Sequence, residues 1–404
     1  MSPPAHLGRR LASQCGSAFA SKAPALSRAR PPARAFATAS CGPSAPRGNR
    51  FLDRVASGET IICAEGYLFE LERRGYVQVG PFVPEVTLRH PEVVRGLHME
   101  FARAGSDIVE AFTYYANRAK LRLIGKEHIL EPLNRAALRI AKDVAEETGT
   151  IMAGNICNTS SYKVGDSASE EDVRMQFREQ CQWAAEEGAE LIIGETFDHF
   201  GEAVIALDEI KRVGLPPVIT FALANWTDGS KKGDRLLLQD DVGIVDACQR
   251  MHDDGAVVVG LNCHYGPNTI LKPLAEIRKA TNFPLAALPV GYRCTDHRPT
   301  MQELSAQGKT YTDLDPHTCT RDDFGEFATA CRDLGVQYVG TCCGGAAHHV
   351  RAMAMALGRQ PDAAATAPDL TKHFVFGSEA VLNAAGNLRG TNFRRAGAEC
   401  GAEA

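Results

Sequence analysis

The ten residues Val336 to Gly345, VQYVGTCCGG, carry an apolar, strand-like run directly into two adjacent cysteines and two glycines. Neighbouring cysteines do not easily satisfy disulfide geometry with each other, so the two thiols invite another reading. Seven further runs of the same kind precede this one: Thr60–Cys63, Ile108–Phe112, Ile151–Gly154, Leu191–Gly194, Val218–Phe221, Val257–Gly260 and Leu285–Leu288. Each is short, apolar or β-branched, and closes on polar residues. Between them lie amphipathic stretches. In Val173–Glu187, Met175, Phe177, Cys181, Trp183 and Ala184 fall mostly on one helical face, with Arg and Glu opposite.

Continuous apolar strands alternating with amphipathic helices predict a parallel sheet covered on both faces. Eight such units in about 300 residues fit a single α/β (β/α)8 barrel of the TIM type. An open doubly wound sheet is the alternative, weakened because no glycine-rich phosphate fingerprint follows the first strand.

In a barrel the C-terminal strand ends share one mouth. Reading those ends gives Ala64-Glu65-Gly66, Thr113-Tyr114-Tyr115, Asn155, Glu195-Thr196, Asn262-Cys263-His264, Pro289 and Cys342-Cys343. Cys263 on the sixth strand then comes within reach of Cys342 and Cys343 on the eighth. Three thiolates with a fourth position left for water or substrate have the form of a catalytic zinc site, where a structural site would be closed by four protein ligands. The rival reading is three buried core cysteines. His264, as the neighbour of Cys263, should point elsewhere, and His348-His349 should open the last helix.

The rest of the chain bounds the problem. Its 404 residues are 44% hydrophobic and carry a net charge of −5, with no electrostatic footprint for nucleic acid. No apolar stretch reaches the roughly 18 to 20 residues of a membrane helix, so a soluble protein with no membrane partner is expected. Thirteen cysteines, an odd number spread over a long chain, read as reduced. From Met1 to Arg50 there are eight Lys and Arg and no acid. Residues 1–50 therefore read as a disordered transit peptide, mitochondrial with cleavage just after Phe36; a plastid peptide and an untargeted basic tail are the alternatives. Residues 51–358 read as the barrel and 359–404 as a partly disordered extension.

The stretch VGLNCHYGP, followed some 80 residues later by VQYVGTCCGG, resembles the homocysteine S-methyltransferases. ELERRGYVQVGPFVPEV, HPEVVRGLHMEFARAGSDIVEAFTYYANRAKL and HHVRAMAMAL resemble the betaine–homocysteine methyltransferase branch most closely. The resemblance implies a barrel with zinc held by Cys263, Cys342 and Cys343 at its C-terminal mouth, and homocysteine as methyl acceptor. It implies substrate contacts from Glu195, Gly66 and Asn262. Where the family carries Asp-Gly-Gly, this chain reads Ala64-Glu65-Gly66, so Glu65 is the expected replacement for the displaced acid. The methyl-donor pocket maps to Phe82, Tyr115 and Thr196, with Tyr114 beside them; one family aromatic is lost at Thr196. Such a pocket suits an onium donor held by cation–π attraction: betaine, or a sulfonium such as dimethylsulfoniopropionate or S-methylmethionine. A non-catalytic, redox-responsive zinc or thiol protein is the second reading, and another small thiol or selenol acceptor a third. The short segment after the barrel leaves a homo-oligomer open.

Overall fold

A computed structural model describes residues 48–223, 236–305 and 313–366 of the chain. The expected leader falls outside the described residues as far as residue 47, and the C-terminal extension does so beyond residue 366. Eight strands, β1 (Ile61–Ala64), β2 (Ile108–Glu110), β3 (Ile151–Cys157), β4 (Leu191–Phe197), β5 (Pro217–Phe221), β6 (Val258–Asn262), β7 (Leu285–Leu288) and β8 (Tyr338–Thr341), pair in chain order. All are parallel, and β1 closes on β8 to complete the barrel. The eight expected runs are the eight strands, although β3 and β4 extend three residues further and β8 begins two residues later.

Side chains alternate across each strand, and this decides what reaches the interior. Ile61, Cys63, Ile108, Ile151, Ala153, Leu191, Ile193, Val258 and Tyr338 fill the barrel, and Phe51 from the first helix, Arg50–Ala56, packs among them. Their neighbours Ile62, Ala64, Val109, Met152, Ile192, Val259 and Val339 face the surrounding helices. Carrying the inward parity one step past the apolar layer brings in Glu65, Glu110, Asn155, Glu195, Asn262 and Cys342. The barrel is therefore apolar below and polar at its C-terminal end.

The helix expected around Val173–Glu187 spans Ser167–Glu187, N-capped by the Asp166 carboxylate. Phe177, Cys181, Trp183 and Ala184 are buried, but Met175 is 52% exposed. It stands two positions from Phe177, about 200° round the helix, and Gln176 and Gln180 take the inward places instead. Gln176 Oε1 accepts from the Ala119 N–H at 3.0 Å and Gln180 Nε2 donates to Asn134 Oδ1 at 3.0 Å. These amides satisfy backbone and side-chain groups of the neighbouring connection, which an apolar residue would leave unpaired.

Phe177, fully buried edge-on against Phe197, tests this layer. Phe177→Ala should cost about 3–5 kcal/mol in chemical denaturation, whereas Met175→Ala should change stability by less than about 0.5 kcal/mol.

Candidate active site and metal centre

The ends of β6, β7 and β8 are tied together by main-chain bonds. Cys263 N–H donates to Leu288 O at 2.9 Å, and Cys342 N–H donates to Pro289 O at 2.8 Å. One short strand end thus holds the sixth and eighth strands at a common height. Cys263 has the wrong parity for the interior, but its φ of 55° lies in the left-handed region and breaks the alternation. Its sulfur approaches Cys343 Sγ to 3.6 Å, and Cys343 Sγ stands 3.9 Å from Cys342 Sγ. The three Sγ atoms lie within 4.8 Å of one another and could hold a metal ion. These separations are far longer than a disulfide bond of about 2.05 Å; the ten cysteines in the described residues are all unpaired. Hydrogen bonding from the Cys342 and Cys343 thiols holds the Cys263 thiol well below its usual range.

The turn that presents Cys342 and Cys343 depends on its glycines. Gly344 has a φ of 75°, and a Cβ there would meet the Tyr292 ring at 2.5 Å. A Cβ on Gly66 would meet Gly345 O at 2.4 Å, so the first residues after β1 lie directly against the cysteine turn. Gly66 acts here by its lack of a side chain.

Beside the sulfurs lies a network of buried acids and amides. Asn155 Nδ2 donates to Glu110 Oε1 at 2.7 Å and to Glu195 Oε1 at 2.8 Å. Asn262 Nδ2 donates to Glu195 Oε2 at 2.9 Å and to Thr196 Oγ1 at 2.8 Å, and lies 3.4 Å from Glu65 Oε2. It is also 3.8 Å from Cys342 Sγ, joining the acids to the thiols. Asn262 Oδ1 accepts from the Thr196 N–H at 3.0 Å. Glu65 Oε1 is buried with no hydrogen-bond partner among the described residues. Glu65, Glu110, Glu195, Tyr114, Cys342 and Cys343 line one narrow cavity. Burial, followed by the neighbouring carboxylates, pushes Glu65 and Glu110 well above the carboxylate range, and burial pushes Glu195 up to about 7.

The residues named from sequence for the donor pocket take the following places. Tyr114 lines the cavity, and Tyr115 lies against it with ring centroids 4.2 Å apart. Thr196 serves the acid network. Phe82 packs edge-on against Phe69, which in turn meets Tyr292. Of seven non-glycine residues at positive φ among those described, Phe82, Tyr115, Thr196, Cys263 and His264 are five. Each such conformation costs on the order of 1–3 kcal/mol and persists where surrounding structure imposes it. His264 turns its Nδ1 to Leu223 O at 3.0 Å, away from the sulfurs. His349, in the first turn of the helix Ala347–Ala356, bonds to Ala346 N and Cys319 O. Asn155 was read at the mouth without a role, and Glu110 was not read as a site residue; a charge inside the apolar run IVEAF is the signal that points to Glu110.

A parallel barrel whose mouth brings three thiols together beside buried carboxyls is a TIM-type fold with a candidate metal site at its C-terminal end. The family profile described as Homocysteine S-methyltransferase matches residues 66–357. Betaine–homocysteine S-methyltransferase 1 of Rattus norvegicus is 34% identical over 350 residues, covering 83% of this chain and 81% of its own. An S-methylmethionine–homocysteine S-methyltransferase of Pongo abelii is 33% identical over 342 residues, covering 83% of this chain and 88% of its own. The metallated crystal form of an Escherichia coli homocysteine methyltransferase superposes with a TM-score of 0.58 at 19% identity, over 75% of this chain and 98% of that one. The chain belongs to the homocysteine S-methyltransferase family, and it is a methyltransferase.

The buried acids give the site a pH signature. Glu195 binds its proton more tightly folded (about 7) than at its ordinary 4.5, so its contribution to stability is full below 4.5 and lost as pH rises through 7. Calorimetry of the substrate-free protein should show the melting temperature falling between pH 5.5 and pH 8, and Glu195→Gln should flatten that fall.

Proposed function

We propose that this protein is a zinc-dependent homocysteine S-methyltransferase that forms methionine with an onium compound as methyl donor. The observation that carries the reading is the meeting of Cys263, Cys342 and Cys343 beside an unpartnered buried carboxylate oxygen of Glu65. The sulfur spacing fits zinc. Four ligands placed tetrahedrally at ~2.3 Å stand about 3.8 Å apart, against 3.6 and 3.9 Å between the sulfurs here. When bound, zinc would hold an acceptor sulfur as thiolate at neutral pH.

The chain's own groups supply the rest. Glu65, Glu110 and Glu195 are costly to bury as anions, and an amino-acid ammonium entering the cavity would give them a counter-charge. Asn155 and Asn262 fix those carboxyls by donating to them, so the ammonium would meet acceptors already aimed. Tyr114 offers an aromatic wall to the donor cation. Transfer forms a bond from the acceptor sulfur to the methyl carbon as the donor's C–N or C–S bond breaks. The electron pair of that bond returns to the nitrogen or sulfur, and that atom loses its positive charge. A thiolate and an onium cancel their charges in this step, which a dehydrated mouth favours, and alignment of the two reactants supplies much of the acceleration.

Membership of an enzyme family removes the non-catalytic thiol reading. The identity of the donor stays a proposal, because relatives of nearly equal identity carry betaine in one name and S-methylmethionine in the other. The basic, acid-free first fifty residues support mitochondrial import as the proposed location.

Two measurements test the reading. Cys263→Ala and Cys342→Ala should each lose the metal, by elemental analysis, together with methionine formation; turnover surviving in a metal-free variant would overturn the mechanism. With homocysteine fixed, glycine betaine, dimethylsulfoniopropionate or S-methylmethionine should be used in preference to S-adenosylmethionine. Turnover with none of the three would refute the onium donor.

A further inference from the structure

We infer that Lys120 recognises the anionic end of the methyl donor, which makes this site selective for onium carboxylates over onium ions that carry no acid group. The inference rests on the reading that Tyr114 and Tyr115 line the donor pocket, and it adds the residue that would read the carboxylate those donors share.

Lys120 lies in the first turn of the helix Arg118–Leu123, just after β2 and the Tyr114-Tyr115 pair. Asn117 Oδ1 accepts from the Lys120 N–H at 3.0 Å and fixes where the side chain leaves the backbone. Its ammonium stands 4.2 Å from the centroid of the Tyr115 ring. It also donates to Ser160 Oγ at 3.0 Å. Both of these partners sit in left-handed backbone, Tyr115 at φ 59° and Ser160 at φ 62°. Two strained residues therefore converge on one cation.

That cation has no carboxylate within ion-pair distance among the described residues. Lys126, Lys272 and Lys279, by contrast, pair with Glu85, Asp296 and Glu276 at 2.6 to 2.8 Å. Half-burial of Lys120 removes part of its hydration and lowers its pKa, so the charge gains more from an anion than a fully solvated lysine would. A lysine ammonium has three donors. One is committed to Ser160, and two remain for a ligand.

A quaternary ammonium or sulfonium ion would compete with this ammonium for the face of Tyr115. A donor that brings its own carboxylate offers Lys120 a better partner than the ring, because charge-assisted hydrogen bonds exceed a half-exposed cation–π contact in strength. A donor with positive charge alone offers no exchange and is repelled. Selectivity thus comes from an attraction and a repulsion at the same atom.

The experiment compares Lys120→Gln, Lys120→Arg and Tyr115→Ala with the unaltered enzyme, using glycine betaine, dimethylsulfoniopropionate and trimethylsulfonium as donors. Lys120→Gln should raise KM for the two carboxylates about tenfold or more, with kcat held, and should raise kcat/KM for trimethylsulfonium. Lys120→Arg should restore most of the affinity for the carboxylates. An equal loss for all three donors in Lys120→Gln, or no change, would overturn the assignment. Tyr115→Ala separates the two possible failures. If no donor's KM moves there, the placement of the pocket falls. If KM moves there without a carboxylate-selective effect in Lys120→Gln, only the role of Lys120 falls.

Discussion

Two carbonyl oxygens at the end of β7, Leu288 O and Pro289 O, accept the N–H groups of Cys263 and Cys342. Those two bonds set the separation and height of the strands that carry the thiols. A metal-thiolate site needs its sulfurs held within a few tenths of an ångström, and flexible loops do so poorly. Here the positions are inherited from the ladder of a closed barrel, in which every strand is fixed from both sides. Only the last step, from strand end to sulfur, is left to local backbone: a left-handed residue at Cys263 and a glycine turn after Cys343.

The same closure explains the acids. Alternation in a barrel sends every second residue inward whatever its chemistry, so the top interior layer is a ring of six positions occupied by Glu65, Glu110, Asn155, Glu195, Asn262 and Cys342. Three carboxyls in that ring would be severely destabilising if all were ionised and isolated. Two asparagines interleave with them, and their amide groups donate to all three acids. One oxygen of Glu65 is left over. The substrate-free site is thus electrostatically incomplete, and a ligand that brings positive charge stabilises the fold as it binds.

Much of this was legible in the chain. The eight apolar runs gave the barrel, and the cysteines at the ends of two of them gave the sulfur cluster, because strand ends must meet at one rim. Glu65 is the instructive case. Resemblance alone left its role open, since the acid stands one residue away from the family position. Parity settles its direction, for Ile61 and Cys63 face inward and Glu65 shares their phase. Glu110 went unread because it lies inside an apolar run, where a single charge is easily taken for strand edge. What sequence could not supply was the backbone at Cys263 and Thr196. Both follow an inward residue and should face outward, and only their positive φ turns them back to the mouth.

Charge accounting joins these parts. Buried acids and thiols can ionise in this ring only where a cation compensates them, and the cations that the proposed function brings there are a metal ion, a substrate ammonium and a donor onium. Lys120 stands over the ring of Tyr115, the partner of Tyr114. A donor with both signs of charge can satisfy the two regions at once, its onium towards the sulfurs and its carboxylate towards the lysine. That orientation carries the methyl inward. A donor entering the other way round would set its carboxylate against Glu65, Glu110 and Glu195 and its onium against an ammonium. Both contacts would be unfavourable in a low-dielectric mouth, so in the proposed reaction the polarity of the cavity would select the orientation needed for in-line attack.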